Sequence, residues 1–218
     1  RPDWIALAAI LPRADRRDVL LGASSIASIP QGARLGTSAP RRAAQMQNLR
    51  PDIEVVLFRG NVATRMAKLQ AGEADVTLLA AAGLERLGEE GVGTALETGD
   101  WLPAPSQGAI GIECRADDAA TREALAAIDH APTRTEITAE RAVLEALGGS
   151  CHSPVGLLAI ADAGRVALTA ALFSADGAER VDGETTLDAQ DGDGLRAFAA
   201  DLLSGATPGI AALFSQNG

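Results

Sequence analysis

One cysteine stands in a run that leaves it accessible. Leu147-Gly-Gly-Ser-Cys-His-Ser-Pro-Val-Gly156 places Cys151 among small residues. Gly148 and Gly149 admit backbone conformations with positive φ and leave space beside the thiol. Pro154 stops a local helix and favours an extended start after it. A thiol held in such a turn suits covalent attachment or nucleophilic attack, and the competing reading is a cysteine packed as a small hydrophobe. His152 comes next, but adjacent side chains in a turn are expected to diverge, so a Cys–His catalytic pair is not expected.

A second set of residues is suited to anions. From Arg34 to Lys68 seven positive residues stand against two negative ones, leaving +5 inside a chain of net charge −10. In Gly36-Thr-Ser-Ala-Pro-Arg-Arg42, Thr37, Ser38, Arg41 and Arg42 flank a helix start, where unpaired N–H groups and the helix dipole favour negative charge. In Arg59-Gly-Asn-Val-Ala-Thr-Arg65, Arg59 ends a strand, Asn61 is a helix cap, and Arg65 lies one turn further on. Arg86 follows a third strand–helix unit. An arginine fork pairs bidentately with carboxylate, so several arginines after consecutive strands point to a ligand with several carboxylates. The competing reading is arginines scattered on solvated faces.

The elements that must position these groups are legible as alternating units. Trp4 to Leu11 reads as a strand, and Ala33 to Ser38, Glu54 to Arg59 and Asp75 to Leu79 as strands, each of the last three followed by a helix. Ser38 is expected to cap the first of those helices, with Pro40 in its first turn. Strand–turn–helix repetition predicts a parallel α/β sheet. Trp101 to Gly108 reads as a crossover and Ala109 to Arg115 as a returning strand with Cys114 in the core. Thr133-Arg-Thr-Glu136 is expected to be a capping box opening the helix before Cys151. Val155 to Ile160, Arg165 to Phe173 and Glu179 to Leu187 predict an antiparallel meander, followed by helices over 194–203 and 208–214.

Composition narrows the classes. No apolar run approaches the ~20 residues of a membrane helix. The acidic balance disfavours nucleic acid and anionic membranes as partners. Two cysteines cannot build a disulfide framework, which favours a reducing cytoplasm, although a single bridge between them stays open.

The segments GTSAPRR, FRGNVATRMAKL, AAAGLERLG, PSQGAIGIECR and GGSCHSPVG occur in that order. Together they resemble the porphobilinogen deaminase family of tetrapyrrole biosynthesis, over nearly the whole chain. The resemblance implies an α/β fold: a periplasmic-binding-protein-like parallel α/β domain over 15–103 and a small α+β C-terminal domain over 131–218 with an antiparallel three-stranded sheet. Residues 1–14 and 104–130 would be the hinges and remnant of a first domain that is largely missing. It implies a dipyrromethane cofactor held through a thioether on Cys151. Thr37, Ser38, Arg41, Arg42, Arg59, Asn61, Arg65 and Arg86 would bind the acid side chains of cofactor and growing chain. The activity implied is a transferase that joins four porphobilinogen units into hydroxymethylbilane with release of ammonia, as a cytoplasmic monomer without metal.

Three departures bear on this, one being His152 after Cys151, where the family often has glutamine. Ala39-Pro40 stands where the family has Ser-Leu, removing one hydroxyl donor and predicting weaker anchoring. The family's catalytic aspartate, in a Lys-Asp-Val-Pro motif, would lie before Arg1, and Asp3, Asp15 and Asp18 do not match it. No catalytic residue is therefore assigned within the chain. The chain on its own is expected to leave the returning strand with unpaired edges and exposed apolar surface, and to be poorly behaved. An anion-binding α/β module without catalysis, or an inactive fragment of the enzyme, remain the alternatives; the first has no use for Cys151.

Overall fold

Short apolar strands that each run into a helix start give the first half of the chain its architecture. The computed structural model describes residues 2–89 and 91–214. The first half runs β1 (Ile5–Ile10), β2 (Asp18–Leu21), β3 (Arg34–Thr37), α1 (Pro40–Leu49), β4 (Glu54–Leu57) and α2 (Val62–Gln70). It continues through β5 (Val76–Ala80), α3 (Ala81–Arg86) and β6 (Thr94–Ala95). Strands β2 to β6 form one sheet in the order β4-β3-β5-β2-β6. β3 pairs in parallel with β4 and β5, as the alternation predicts. β2 runs antiparallel to β5 and β6, so the sheet is mixed rather than purely parallel. The reason is connectivity: no crossover helix delivers β2, which enters from the preceding linker in the opposite sense. All four residues of β2 are buried, Asp18 among them.

The second half holds β7 (Gly111–Arg115), α4 (Ala119–Ala126), α5 (Ala131–Ala146), β8 (Val155–Asp162), β9 (Arg165–Phe173), β10 (Arg180–Asp188), α6 (Gly192–Ser204) and α7 (Pro208–Ala211). β8, β9 and β10 make the expected antiparallel meander. β1 and β7 pair antiparallel as a separate two-stranded sheet. Its strands are half exposed, with Trp4 and Ile110 open beside them. Cys114 is only partly buried there and is not a core residue; its partner across the ribbon is Ala6. No helix among the described residues is long and apolar enough to cross a membrane.

Two helix starts differ from expectation. The residue that caps α1 is Ala39, which offers no side-chain bond, and Ser38 lies one position before it. Proline at the start of α1 presets the first turn without a capping hydroxyl. α5 begins two residues before the expected box, with His130 as cap and Pro132 in the first turn. Thr133 is therefore inside the helix, where its hydroxyl accepts from the Arg13 N–H at 3.1 Å.

Two main cores hold the lobes. Leu20, Leu35, Met46, Val76, Leu78 and Trp101 fill the α/β side. Val143, Leu157, Leu168, Phe198 and Leu202 fill the side of the meander. A smaller cluster of Ala44, Leu102, Leu158, Ala171 and Phe173 joins α1 to β8 and β9, so the arginines of α1 are held at a fixed distance from the loop that precedes β8. Gly177 completes that junction. Its φ is +70°, and a Cβ there would meet the Ala44 carbonyl oxygen at 2.2 Å. Gly177→Ala is expected to lower stability by about 1–3 kcal/mol through the forced separation. The denaturant midpoint measures it, and a midpoint equal to wild type would show that the junction yields freely.

Candidate functional site

The ends of α5 and β8 hold the cysteine loop. Gly148 leaves the helix with φ +67°, and a Cβ at that position would lie 2.3 Å from the Phe214 carbonyl oxygen. Within the loop the Ser150 N–H donates to Ser153 Oγ at 3.0 Å, and the Ser153 N–H donates to the Ser150 carbonyl at 3.0 Å. Ser153 is buried, so it anchors the turn, while Cys151 and His152 are turned outward. Both cysteines are free thiols. The expected divergence of Cys151 and His152 does not occur: Cys151 Sγ and His152 Nδ1 are 3.4 Å apart. The reciprocal Ser150–Ser153 bonds close the turn tightly enough to leave the two side chains together.

Opposite the loop, α1 presents Arg41 and Arg42. They and Cys151 line one cavity of about 320 Å³, with Gln107, Leu144 and Val155 also in its walls. That is within the range of small-molecule sites. A larger cavity of about 420 Å³ lies against β10 and α6, but its walls carry Asp182, Glu184 and Asp201 and no cation, which suits no acidic ligand.

Asp18 is the hub behind the arginines. One carboxylate oxygen accepts from Arg41 Nη2 at 2.7 Å and from Trp101 Nε1 at 2.8 Å. The other accepts from Arg42 Nη2 at 2.6 Å and from Gln107 Nε2 at 2.9 Å. Burial alone would raise the Asp18 pKa, but Arg41 and Arg42 outweigh it and hold the carboxyl far below its usual range. Burial pulls the Arg41 pKa down, with Arg42 adding to the effect and Asp18 opposing it. One carboxylate against two guanidinium groups leaves the cluster net positive. Further bonds run from Arg41 to the Leu102 carbonyl and from Arg42 to the Leu78 carbonyl. The Nε atoms of both arginines are buried without a hydrogen-bond partner. Orphaned buried donors beside a net positive cluster fit a ligand that brings carboxylates.

The other anticipated residues divide into two groups. Arg65 Nη2 donates to Ser38 Oγ at 3.3 Å and its Nε donates to the Gly60 carbonyl at 3.0 Å. Burial and then Arg42 lower the Arg65 pKa, so Ser38, Arg42 and Arg65 share one neighbourhood. Thr37 is buried, and its hydroxyl accepts from the Ala39 N–H. Asn61 caps α2 by accepting from the Thr64 N–H at 2.9 Å. Arg59 and Arg86 are exposed, and neither they nor Thr37, Ser38, Asn61 and Arg65 line the cysteine cavity. Ala39 lines that cavity.

Sequence reasoning passed over Asp18 and Gln107. Asp18 opens a fully apolar strand, and an acid in that position is a candidate for a buried carboxylate. Gln107 sits in a segment read only as a connection. Its amide nitrogen also donates to the Arg16 carbonyl at 2.8 Å, so it locks both linkers to the site.

Residues 1–123 match the family profile described as "porphobilinogen deaminase, dipyromethane cofactor binding domain", and residues 134–197 match the profile of the porphobilinogen deaminase C-terminal domain. A porphobilinogen deaminase of Sphingopyxis alaskensis is 56% identical over 215 residues, covering 96% of this chain and 68% of that protein. One from Paracoccus denitrificans is 43% identical over 211 residues, covering 95% of this chain and 67% of the relative. One from Xanthomonas oryzae pv. oryzae is 49% identical over 160 residues, 72% of this chain and 53% of the relative. The chain thus spans about half to two thirds of the length of these relatives. With both profiles matched in order around a thiol and two arginines on one cavity, the chain belongs to the porphobilinogen deaminase family of tetrapyrrole-forming transferases.

Proposed function

We propose that Cys151 carries the dipyrromethane cofactor through a thioether, and that Arg41 and Arg42 bind the acid side chains of the cofactor and of the chain built on it. The activity is transfer of four porphobilinogen units into the linear tetrapyrrole hydroxymethylbilane, with release of ammonia. The observation that carries the assignment is that the exposed thiol and both arginines line the same cavity.

The division of labour follows from the residues. Cys151 supplies the tether. When bound, the cofactor supplies the nucleophilic pyrrole carbon on which units are added. Asp18 occupies the Nη2 groups of Arg41 and Arg42, and their Nε–H donors are buried without a partner, so the pair is not fully satisfied by the protein alone. Each pyrrole brings two carboxylates, more charge than this cluster neutralises, so Arg65 with Ser38, and then Arg59 and Arg86, extend the cationic face. Thr37 and Asn61 act on backbone geometry, holding the starts of α1 and α2. We take 15–103 as the anion-binding domain, 131–218 as the domain bearing the tether, and 1–14 with 104–130 as the hinge segments. Free thiols support a reducing cytoplasm as the site of action.

The test is intact mass. The wild-type chain is expected to carry a two-pyrrole adduct, or to gain it on incubation with porphobilinogen, and Cys151→Ser is expected to lack it. An adduct that survives Cys151→Ser overturns the assignment, as does a wild-type chain that stays unmodified after incubation.

A further inference from the structure

We propose that His152 is the base that takes the proton from the Cys151 thiol when the tether forms. The inference rests on Cys151 being the attachment point.

Cys151 Sγ and His152 Nδ1 are 3.4 Å apart, within reach of an S–H···N hydrogen bond. The turn keeps them there. His152 N–H donates to Ser150 Oγ at 3.2 Å, and Ser150 and Ser153 bond to one another across the turn. Both side chains are exposed, so the imidazole can pass its proton to solvent. The groups facing the sulfur can be named by element. α1 brings Arg41 and Arg42, α5 brings Leu144, and the segment before β7 brings Gln107. Among the described residues no carboxylate lines that cavity. The two arginines on that wall cannot accept the proton, because a guanidinium stays protonated. His152 is the group at the sulfur able to do so.

The step balances as follows. The S–H bond breaks and its proton goes to Nδ1, which requires the tautomer protonated at Nε2. The electron pair left on sulfur forms the C–S bond to the methylene carbon of a porphobilinogen. The C–N bond at that carbon breaks, and the aminomethyl nitrogen, protonated as an ammonium before the step, leaves as ammonia with the electron pair of that bond. The imidazolium then returns its proton to ammonia or water. An adjacent base of this kind activates a thiol that is otherwise only a few per cent ionised at neutral pH.

Two readouts test the proposal on the whole chain. The first is alkylation of the unmodified protein by iodoacetamide, followed at the Cys151 peptide by mass from about pH 5 to about pH 9, a range spanning the ordinary imidazole and thiol values. His152→Ala is expected to react about tenfold more slowly than wild type near neutral pH, since loss of an adjacent cation lowers the thiolate fraction. His152→Gln is expected to match His152→Ala, because an amide accepts no proton. Superimposable profiles for wild type and both variants overturn the proposal. The second is the time course of adduct formation with porphobilinogen. His152→Ala is expected to reach the wild-type final mass at about a tenth of the rate. An equal rate overturns the role of His152 while leaving the attachment intact. A wild-type chain whose thiol alkylates normally but never gains the adduct overturns the attachment reading and the inference with it.

Discussion

Asp18→Asn is expected to cost about 3–5 kcal/mol at neutral pH, the loss typical of leaving one side of a buried ion pair uncompensated. Here the uncompensated side is two guanidinium groups. Asp18 is fully buried and bonds Arg41 and Arg42 with separate oxygens at 2.7 and 2.6 Å. Asparagine keeps the shape but offers one acceptor oxygen and no charge, and its amide nitrogen is a donor aimed at donors. Burial already pulls the Arg41 pKa down with Asp18 present, so its removal deepens the penalty. The pH dependence has a definite sign. The Asp18 pKa is depressed in the folded chain, burial being outweighed by the two arginines. Its stabilisation is therefore complete above the ordinary carboxylate value of about 4 and is lost as pH falls below it. Wild type is expected to lose its advantage over Asp18→Asn across that acid range, measured by urea midpoints at several pH values. A constant difference between the two proteins down to strongly acid pH would show that packing, not charge, is what Asp18 contributes.

That hub also explains what could and could not be read before the fold was known. Asn61 and Pro40 mark helix starts by local chemistry, and each stands where it was expected. The meander was legible because Gly-containing turns separate runs of matching length. The loop around Cys151 was legible because glycine and proline restrict the chain within a few residues. The pairing of Arg41 and Arg42 with Asp18 spans 23 and 24 residues, has no periodicity, and reverses what the arginines alone imply. They are not open cationic arms but half-neutralised ones, each held by Asp18 through Nη2 and left with a buried, unpartnered Nε. β2 was obscured because a four-residue strand opened by an acid lacks a strand's alternation. The Cys151–His152 contact was missed because a rule about neighbouring side chains ignored the serine bonds that close the turn.

Arg13→Met is expected to be of similar size to the Asp18 change and to act on a different joint. Arg13 is almost fully enclosed and bonds Glu140 at 2.8 and 3.1 Å and Glu136 at 3.2 Å. Glu140 also accepts the N–H groups of Ser106 at 2.5 Å and Ala159 at 2.9 Å. Through these bonds both linkers, α5 and β8 meet at one carboxylate. Ser106 is held there with φ +65°, a conformation uncommon for a residue with a Cβ. Removing the guanidinium leaves a buried carboxylate with neutral donors alone, at a cost of about 3–5 kcal/mol. Burial already raises the Glu140 pKa against the opposing pull of Arg13. Without Arg13 the folded value rises further, so Arg13→Met binds a proton on folding and gains stability as pH falls toward the ordinary glutamate range. Its urea midpoint is expected to be higher near pH 5 than near pH 8, the direction that a raised carboxyl pKa dictates. Arg13→Met combined with Glu140→Gln removes the stranded charge while keeping acceptors for Ser106 and Ala159, and is expected to recover most of the loss at neutral pH. A double variant no more stable than Arg13→Met would mean that the arginine's packing, and not the charge it neutralises, holds the linkers to the lobe that carries Cys151.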